Sequence, residues 1–346
     1  MAQKKKEWTL GELAQALGGV CDGPADLPIS GPASAEDGDS RGIAFAESEK
    51  FLAKAEASGV GAVLIREGER RTTLPAIRVS NPREAFGVVL AMACRPLPIN
   101  NGTSPLATID PEATVDPSAA IGPYVTVERG AQIGAGAKVY SGCYIGENCS
   151  VGAGSVLYPN VVLYQDVNLG VGCILHSGVV LGADGFGFVW NGREQQKIPQ
   201  VGRVEIGDGV ELGANTCIDR AMCGVTRIGK GTKIDNLVQV GHNTSIGQHT
   251  VIAAGTGISG SCKVGNRNTI AGQVAFSDHV STCDDVILAG RTALTNDIKR
   301  PGAYFGLPAR PIQEALKAAA LTSKLPDLLS RIRALEAKIK ELEKDR

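Results

Sequence analysis

The sequence predicts a mainly β protein: a parallel β-helix that follows a small N-terminal α/β domain and precedes C-terminal helices. The first observation is a run of aliphatic residues that recur every six positions from Ile109 to Leu181. The second is composition, because 44 glycines and only 4% aromatics among 346 residues are typical of a tightly turning repeat rather than an ordinary α/β enzyme. The third is that residues 1–105 and 309–346 lack the repeat.

The repeat period identifies strands. Six is a multiple of the strand period of two, so all thirteen aliphatics of the run can face the same interior. In a helix, six residues at 100° each would turn the side chain by about 240° and scatter the aliphatics over three faces. Three hexads per coil predict a triangular prism with 18 residues in each coil. Glycine often follows the aliphatic residue, and we expect it to supply a positive φ at each corner.

The repeat is interrupted twice. A polar and aromatic stretch at residues 182–203 intervenes before Ile206, and Ile218 is separated from Ile228 by ten residues instead of six. Loops that leave a regular solenoid usually lie on its functional face. We therefore expect both interruptions close to the site.

The N-terminal domain, residues 1–105, is predicted to alternate helices and strands. Thr9 to Glu12 resembles a capping box before a helix at residues 10–17. Residues 59–65 predict a buried strand, and Asn81 followed by Pro82 predicts the start of a helix that runs to Ala93. A proline-rich linker at residues 96–105 then leads to the β-helix domain, residues 106–308.

Residues 309–346 predict two helices that Pro326 separates. The second carries a short heptad seam, formed by Leu328, Ile332, Leu335, Ile339 and Leu342. Such a seam needs partner helices, and a triangular prism has flat sides for threefold packing, so we predict a homotrimer.

Composition and charge exclude several classes of function. A net charge of −1 gives no reason to expect nucleic acid binding, and no apolar window is long enough for a membrane span. The N-terminus does not resemble a secretory signal. Nine cysteines without a Cys-x-x-Cys pair predict reduced thiols in a cytoplasmic protein. Cys143, Cys149, Cys173 and Cys262 are interpreted as small buried fillers.

Residues 234–243 stand out because they place a histidine among polar residues inside the repeat. His242 is two places after Val240, and His279 three places after Phe276, so the two histidines share a side of the prism two coils apart. Strands about 4.8 Å apart separate them by roughly 10 Å, which suits two ends of one substrate rather than one metal. His249 belongs to an adjacent face and His176 is interpreted as filler or surface; we predict no metal and no cofactor.

Three segments resemble one family of acyltransferases. They are Thr216-Cys-Ile-Asp-Arg220, residues 234–243, and Gly182-Ala-Asp-Gly-Phe-Gly-Phe188 with Lys197-Ile-Pro-Gln-Val-Gly-Arg203. Together they are similar to the UDP-3-O-(3-hydroxyacyl)glucosamine N-acyltransferases of lipid A biosynthesis, and the similarity covers the β-helix and extends to the N-terminal domain. It implies a left-handed β-helix and transfer of a 3-hydroxyacyl chain from acyl carrier protein to the 2-amine of a UDP-sugar.

The resemblance also implies roles for residues of the repeat. His242 matches the general base, and an imidazole that titrates near neutral pH suits the deprotonation of an amine. His279 matches a second histidine that positions the 3-hydroxyl of the acyl chain or assists charge stabilisation. Backbone N–H groups of Gly260 or Gly257 are candidates for the oxyanion hole. Asp235, Asn236 and Gln239 are predicted to contact substrate.

The remaining predicted contacts are those of the uracil, the acyl chain and the carrier. Phe45 and Phe51 align with a uracil-stacking segment, in which Ser48 and Phe51 replace the asparagine and tyrosine common in the family; a core role for both phenylalanines remains open. Gly290, Arg291, Thr292 and Ala293 fall in the segment that resembles the chain-length region, and their small residues favour a longer chain. Acyl carrier protein is acidic, so basic residues are predicted to dock it, namely Arg291, Lys299, Arg300 and Arg310.

Two other functions fit the repeat. One is an O-acyltransferase or an acetyl-CoA-dependent sugar acetyltransferase on the same scaffold, which would leave the uridine-binding-like domain unexplained. The other is a non-catalytic trimeric scaffold, in which His242 would have no chemical role.

Overall fold

The computed structural model describes residues 7–36, 38–68, 72–322 and 324–344. The chain divides into two compact units, Met1–Pro98 and Ile99–Arg346. The first strand of the second unit is Gly102–Thr103. The repeat structure therefore begins within the segment predicted to be a linker.

The N-terminal unit is an α/β domain, as predicted. Its elements are β1 Trp8–Thr9, α1 Leu10–Ala16, β2 Val20–Asp22, β3 Pro28–Ile29, β4 Gly31–Pro32, β5 Gly42–Phe45, α2 Glu49–Ser58, β6 Ala62–Arg66, β7 Ala76–Val79 and α3 Pro82–Ala93. Five strands form a sheet in the order β2-β7-β6-β5-β4. Both predicted helix starts are confirmed: Thr9 and Glu12 make the two bonds of a capping box, and Asn81 caps α3 ahead of Pro82.

The second unit is a solenoid with three faces. Face 1 contains Gly102–Thr103, Ala120–Ile121, Lys138–Val139, Val156–Leu157, Ile174–Leu175, Glu211–Leu212, Lys233–Ile234, Val251–Ile252, Thr269–Ile270, Val286–Leu288, Gly302–Phe305 and the antiparallel Arg310–Pro311. Face 2 contains Thr108–Ile109, Thr126–Val127, Tyr144–Ile145, Val162–Leu163, Val180–Ala183, Cys217–Asp219, Gln239–Val240, Gly257–Ile258, Ala275–Phe276 and Ala293–Leu294. Face 3 contains Thr114–Val115, Gln132–Ile133, Ser150–Val151, Asn168–Leu169, Arg203–Ile206, Val225–Ile228, Ser245–Ile246 and Lys263–Val264.

The register confirms the predicted coil. Val127 pairs in parallel with Ile145, and Val240 with Ile258, so a regular coil has 18 residues. The repeat aliphatics form one continuous core along the prism. Buried Cys143, Cys149 and Cys262 fill this core as predicted, and burial raises the pKa of each thiol to about 11.

The corners correct our interpretation of the glycines. The positive φ lies three places after the aliphatic residue, where Asn148, Asn243 and His279 have φ values of 56°, 59° and 61°. The glycine directly after the aliphatic serves close approach instead. A Cβ at Gly134, for example, would come within 2.8 Å of the backbone nitrogen of Ala153 in the next coil.

Both interruptions of the repeat leave the prism at the corner that joins face 2 to face 3. The larger insertion folds into a hairpin of Phe188–Trp190 and Gln195–Lys197, after which the ladder resumes with Leu169 opposite Ile206. The smaller insertion is residues 221–224, between the face 2 strand Cys217–Asp219 and the face 3 strand Val225–Ile228. The next coil places His242 at the same corner.

Two C-terminal helices follow, α4 Ile312–Thr322 and α5 Leu325–Lys344. Pro326 lies in the first turn of α5, where its missing N–H removes no helical bond, rather than between the helices. The seam residues Leu328, Ile332, Leu335 and Ile339 are exposed, while the side chain of Leu342 lies outside the described residues. No helix in the described ranges is long and apolar enough to cross a membrane.

Candidate active site

A cleft of about 960 Å³ runs along the corner between faces 2 and 3. The large insertion and four successive coils line it, with Asp184, Gly185, Phe186, Phe188, Lys197, Asp219, Gln239, Gly241, His242, Gly257, Ile258, Ser259, Gly260, Ala275, Phe276, Asp278 and His279. The structure thus brings together three predicted site residues, His242, His279 and Gln239, beside the hairpin.

Two glycines hold the imidazole of His242 between them. A Cβ on Gly185, in the large insertion, would come within 2.6 Å of the Cβ of His242. A Cβ on Gly260, in the next coil, would come within 2.6 Å of Cε1 and Nε2 of the ring. Neither position has room for a side chain, so the ring is confined from both sides.

Asn243 fixes the other edge of the ring. Its Oδ1 lies 3.1 Å from Nδ1 of His242 and accepts a hydrogen bond from the backbone N–H of Met222 at 2.9 Å. Its Nδ2 donates to the backbone carbonyl of Cys223 at 2.8 Å. The smaller insertion therefore contacts the site through Asn243.

Backbone N–H groups distinguish the two glycines predicted for the oxyanion hole. The N–H of Gly257 donates to the carbonyl of Val274 at 2.9 Å, so it belongs to the ladder and the prediction for Gly257 is wrong. The N–H of Gly260 has no acceptor among the described residues, and Gly260 itself lies against the ring, since a Cβ there would come within 2.6 Å of Nε2 of His242. A Cβ at Gly241 would approach the nitrogen of Gly260 to 2.7 Å, so the glycine there keeps this donor accessible.

His279 lies two coils beyond His242 in the same cleft, as the spacing predicted. Strand pairing connects the two levels, because Val240 pairs with Ile258 and Ile258 with Phe276. The His279 side chain is exposed and occupies a positive-φ corner position. It is therefore free to contact a ligand that extends along the cleft.

Asp219 is a site residue that our sequence reasoning missed. It lines the cleft one coil before His242 and is only 9% exposed. Burial raises the pKa of its carboxyl to about 6, a shift that the nearby Asp184 increases and a hydrogen bond from Gln239 and the charge of His242 oppose. A carboxyl perturbed in this way inside a cleft is typical of functional sites. The signal was the segment Thr216-Cys-Ile-Asp-Arg220, which contributed to the resemblance but not to the predicted site.

The large insertion lines the cleft with apolar and charged groups. Phe186 and Phe188 form an edge-to-face pair with centroids 5.1 Å apart, and Phe186 is 87% exposed. Asp184 and Lys197 form an ion pair across the base of the hairpin. Arg220 anchors that base, since its buried guanidinium donates to the carbonyls of Gly182 and Gln165.

Asp235 and Asn236 do not enter this cleft. They lie at the corner between faces 1 and 2, in a separate cavity with His176, Glu211 and Lys233. Both side chains are exposed and cap backbone N–H groups there.

The residues predicted for the acyl chain and carrier lie in the last coils. Ala293 pairs with Ala275 on face 2, one coil beyond the cleft lining. Gly290 and exposed Arg291 lie at the corner after Val286–Leu288, and Nε of Arg291 donates to Oε1 of Gln273 at 2.9 Å. Arg300 is exposed just before the strand Gly302–Phe305.

The N-terminal unit has a cavity of its own, of about 570 Å³. Its lining is Pro32, Ala33, Ser34, Ala35, Glu36, Phe45, Glu47, Phe51, Arg83, Phe86 and Leu90. Phe45 packs on Phe86 with centroids 4.8 Å apart, whereas Phe51 is 48% exposed. The structure brings two of the three predicted uracil contacts to this cavity, while Ser48 precedes α2 as its N-cap and does not line it.

The other two histidines lie away from the cleft. His176 stacks on Tyr158 with centroids 5.1 Å apart and contacts Glu211 through Nε2 at 3.2 Å. His249 is exposed at a corner that leads from face 3 to face 1.

Two family descriptions match parts of the chain. Residues 26–92 match UDP-3-O-(3-hydroxymyristoyl) glucosamine N-acyltransferase, LpxD. Residues 124–158 and 226–260 match the bacterial transferase hexapeptide.

Several curated proteins are similar over most of the chain. The UDP-3-O-acylglucosamine N-acyltransferase of Herminiimonas arsenicoxydans is 37% identical over 96% of this chain and 97% of its own length. That of Pseudomonas paraeruginosa is 39% identical over 96% and 95%. The enzyme of the same name from Methylococcus capsulatus is 43% identical, but this match spans about half of each chain, 48% and 47%.

Among solved structures, Arabidopsis UDP-N-acetylglucosamine acyltransferase aligns with a TM-score of 0.53 over 59% of this chain and 71% of that chain, at 20% identity. This likeness concerns the fold alone. With the hexapeptide match, it confirms the predicted left-handed parallel β-helix.

Proposed function

The chain belongs to the family of UDP-3-O-acylglucosamine N-acyltransferases, and from this membership we propose its reaction and the residues that carry it. The enzyme is an acyltransferase. It moves a 3-hydroxyacyl chain from acyl carrier protein to the 2-amine of a UDP-3-O-acylglucosamine. The observation that carries the proposal is the cleft in which the ring of His242 packs against Gly260, whose N–H has no acceptor among the described residues.

His242 is the general base in this proposal. The amine nitrogen attacks the thioester carbonyl carbon, and its proton passes to Nε2 of the imidazole. When the tetrahedral intermediate collapses, the C–S bond breaks and the imidazolium returns the proton to the departing carrier thiolate. The products are an amide and a free carrier thiol, with no net change in the enzyme.

Gly260 stabilises the charge that develops on the carbonyl oxygen. A fixed N–H in a site shielded from water favours an oxyanion over a neutral carbonyl and needs no reorganisation during the reaction. Two neighbouring glycines support this role, because Gly241 keeps the donor accessible and Gly260 itself leaves space for the ring.

The acyl chain follows face 2 away from His242. The outward residues of the successive strands are Gly257, Ala275 and Ala293, which form a shallow apolar trough. His279, at the same end of the cleft, positions the 3-hydroxyl. Small side chains at Gly290 and Ala293 leave room for a long chain, and exposed Arg291, Lys299, Arg300 and Arg310 offer a basic surface to an acidic carrier protein.

The uracil ring binds in the cavity of the N-terminal unit. Exposed Phe51 offers a ring face for stacking, and Phe45 forms part of the wall with Phe86. Because Ser48 does not line this cavity, a uracil hydrogen bond would have to come from another group, such as Arg83 or a backbone amide.

A homotrimer completes the proposal. The exposed seam of α5 would be buried in a three-helix bundle, and the flat faces of three prisms would meet around one axis. Asp235 and Asn236 lie outside the cleft of their own chain. In such packing they would reach the cleft of a neighbouring copy. Carrier-dependent chemistry with nine free cysteines also suits the cytoplasm.

Activity assays separate the proposal from its rivals. Purified enzyme with a 3-hydroxyacyl carrier thioester and the UDP-sugar amine should release free carrier thiol and form an amide, detected by mass spectrometry. His242→Ala should lower kcat/KM at least 100-fold while the mass in solution stays that of a trimer. Turnover with acetyl-CoA alone would favour the sugar acetyltransferase, and full activity of His242→Ala would remove the proposed base.

A further inference from the structure

We propose that Asn243 and the insertion at residues 221–224 are positioning elements that hold the imidazole of His242 with Nδ1 protonated and Nε2 free. This inference deepens the proposed function and rests on it, because it concerns how the proposed base is kept ready. Asn243 acts through His242 and does not itself touch the reacting atoms.

The partners of Asn243 fix the orientation of its amide. A backbone N–H can only donate and a backbone carbonyl can only accept. Since Met222 donates to one end of the amide and the carbonyl of Cys223 accepts from the other, the end next to His242 must be the oxygen.

That orientation determines the tautomer of His242. The Asn243 oxygen, 3.1 Å from Nδ1, can only accept, so a neutral ring must carry its proton on Nδ1. The lone pair is then on Nε2, which is the nitrogen beside Gly260. Histidine ligands and bases commonly have their tautomer set in this way by a bond to the other nitrogen.

The smaller insertion lies next to Asn243 and holds its side-chain amide. Ten residues separate Ile218 from Ile228 instead of six, and the extra ones supply the two backbone groups that hold the amide. On its other side the insertion binds the returning chain of the hairpin, with bonds of 2.9, 3.0 and 3.0 Å from Val201, Gly202 and Arg203. The backbone of Asn243 is held separately, because its N–H donates to the buried hydroxyl of Thr226.

Other asparagines that lie three places after a repeat aliphatic make different contacts. Asn148 and Asn160 share the positive φ of Asn243, at 56° and 64°, but their side-chain oxygens lie over Gly130 and Gly142 of the preceding coil. At Asn243 the preceding coil presents the insertion instead. This contrast supplies a control for a substitution of Asn243.

Ring nitrogen NMR of the full-length enzyme tests the tautomer directly. With only four histidines, ¹⁵N-labelled imidazoles can be resolved and His242 assigned by loss of its signals in His242→Ala. At a pH where the ring is neutral, wild type should show a protonated Nδ1 and an unprotonated Nε2. Asn243→Gly, which keeps the positive φ without strain, should show a mixture of tautomers and lose about 10- to 100-fold in kcat with little change in KM. Asn148→Gly should match wild type in both measurements.

A conservative variant and a deletion complete the test. Asn243→Asp keeps an acceptor at Nδ1 and adds a charge that favours the imidazolium, so the acidic limb of the pH profile of kcat/KM should move up by about one unit, with activity regained at high pH. The other charged groups around the ring, Asp184, Lys197, Asp219, Asp278 and His279, are unchanged in this variant.

Deleting residues 221–224 restores the six-residue spacing, so the solenoid should still fold while the tautomer becomes mixed.

Two results would overturn the inference: an Nε2-protonated ring in wild type, or a tautomer and kcat in Asn243→Gly that equal those of wild type. Failure of the proposed function would look different. In that case His242→Ala would retain activity, whereas the tautomer measurement would still report whether Asn243 controls the ring.

Discussion

Two neighbouring corners of one coil use polar residues in opposite ways. After Ile234, the carboxylate of Asp235 accepts from the N–H groups of Asn236 and Ala254 at 2.7 and 3.2 Å. The side chain of Asn236 accepts from the N–H of Ala214 at 2.6 Å. We call this the capped corner, because its polar side chains satisfy its own backbone.

The corner after Val240 is the open corner, and it has Gly241 and His242 at the equivalent positions. Here the histidine side chain does not cap the turn, and the N–H of Gly260 in the next coil has no acceptor among the described residues. The contrast indicates that polar residues at a solenoid corner are not available for chemistry when they cap the turn. They become available when both the side chain and a nearby backbone N–H can bind a ligand.

The largest expected effect comes from closing the open corner. In Gly260→Ala the new Cβ would meet Cε1 and Nε2 of His242 at 2.6 Å and displace the ring, and a misplacement of about 1 Å can cost 100-fold. We expect kcat/KM to fall about 100-fold in the carrier thioester assay. The matched control is Gly272→Ala at the capped series of corners, where the nearest atom is the carbonyl oxygen of Ala254 at 3.3 Å. Equal losses in both variants would mean that the open corner is not special.

Removing the buried charge of Asp219, one coil before the open corner, should affect stability. The folded-state pKa of Asp219, about 6, lies above the ordinary value of 3.8, so the ionised carboxylate opposes folding above pH 6 and not below pH 4. Asp219→Asn should therefore be more stable than wild type at pH 8, by about 3 kcal/mol, and the difference should vanish as pH falls from 6 to 4. Urea unfolding at several pH values measures this; a difference independent of pH would contradict it.

Removing a cap at the capped corner should change the free energy of unfolding by a smaller amount. Asp235→Ala leaves two exposed N–H groups to water, so we expect a loss of about 1 kcal/mol in the free energy of unfolding. The KM for the UDP-sugar in the same variant tests the predicted substrate contact. An unchanged KM would limit Asp235 to its capping role.

The smallest effect is expected at a histidine that belongs to neither corner. His249→Asn keeps a residue type that tolerates the positive φ of 54° and alters an exposed side chain. We expect changes within about 0.5 kcal/mol in stability and no change in kcat/KM. A loss of activity here would show that histidines matter at corners generally, not at the open corner.

The period of six determined most of the fold in advance. It predicted the faces and the 18-residue coil, because these depend only on local repetition. The expectation that the two insertions lie near the site came instead from the tendency of solenoid loops to lie on the functional face. It could not separate the two reasons for glycine, positive φ and close approach, since both favour the same residue. Gly134 illustrates the second reason, which only the distance to the next coil reveals.

The site was harder to predict because neighbours in sequence are not neighbours in this fold. Asp235 is seven residues from His242 but lies at the next corner, in another cavity. Asp219, 23 residues away, lies beside it, because one coil with the insertion separates them. In the sequence alone, Asp219 looks the same as Asp235, whose carboxylate caps backbone N–H groups.

The stacking of coils also sets a unit of length for any ligand on face 2. An extended alkyl chain advances about 1.25 Å per methylene, so one coil of about 4.8 Å corresponds to roughly four carbons. Along the trough of Gly257, Ala275 and Ala293, substitutions meet such a chain only at these intervals. Selectivity for chain length would therefore change in steps of about four carbons when the blocking residue moves from one coil to the next, and finer discrimination would depend on side-chain size within a coil.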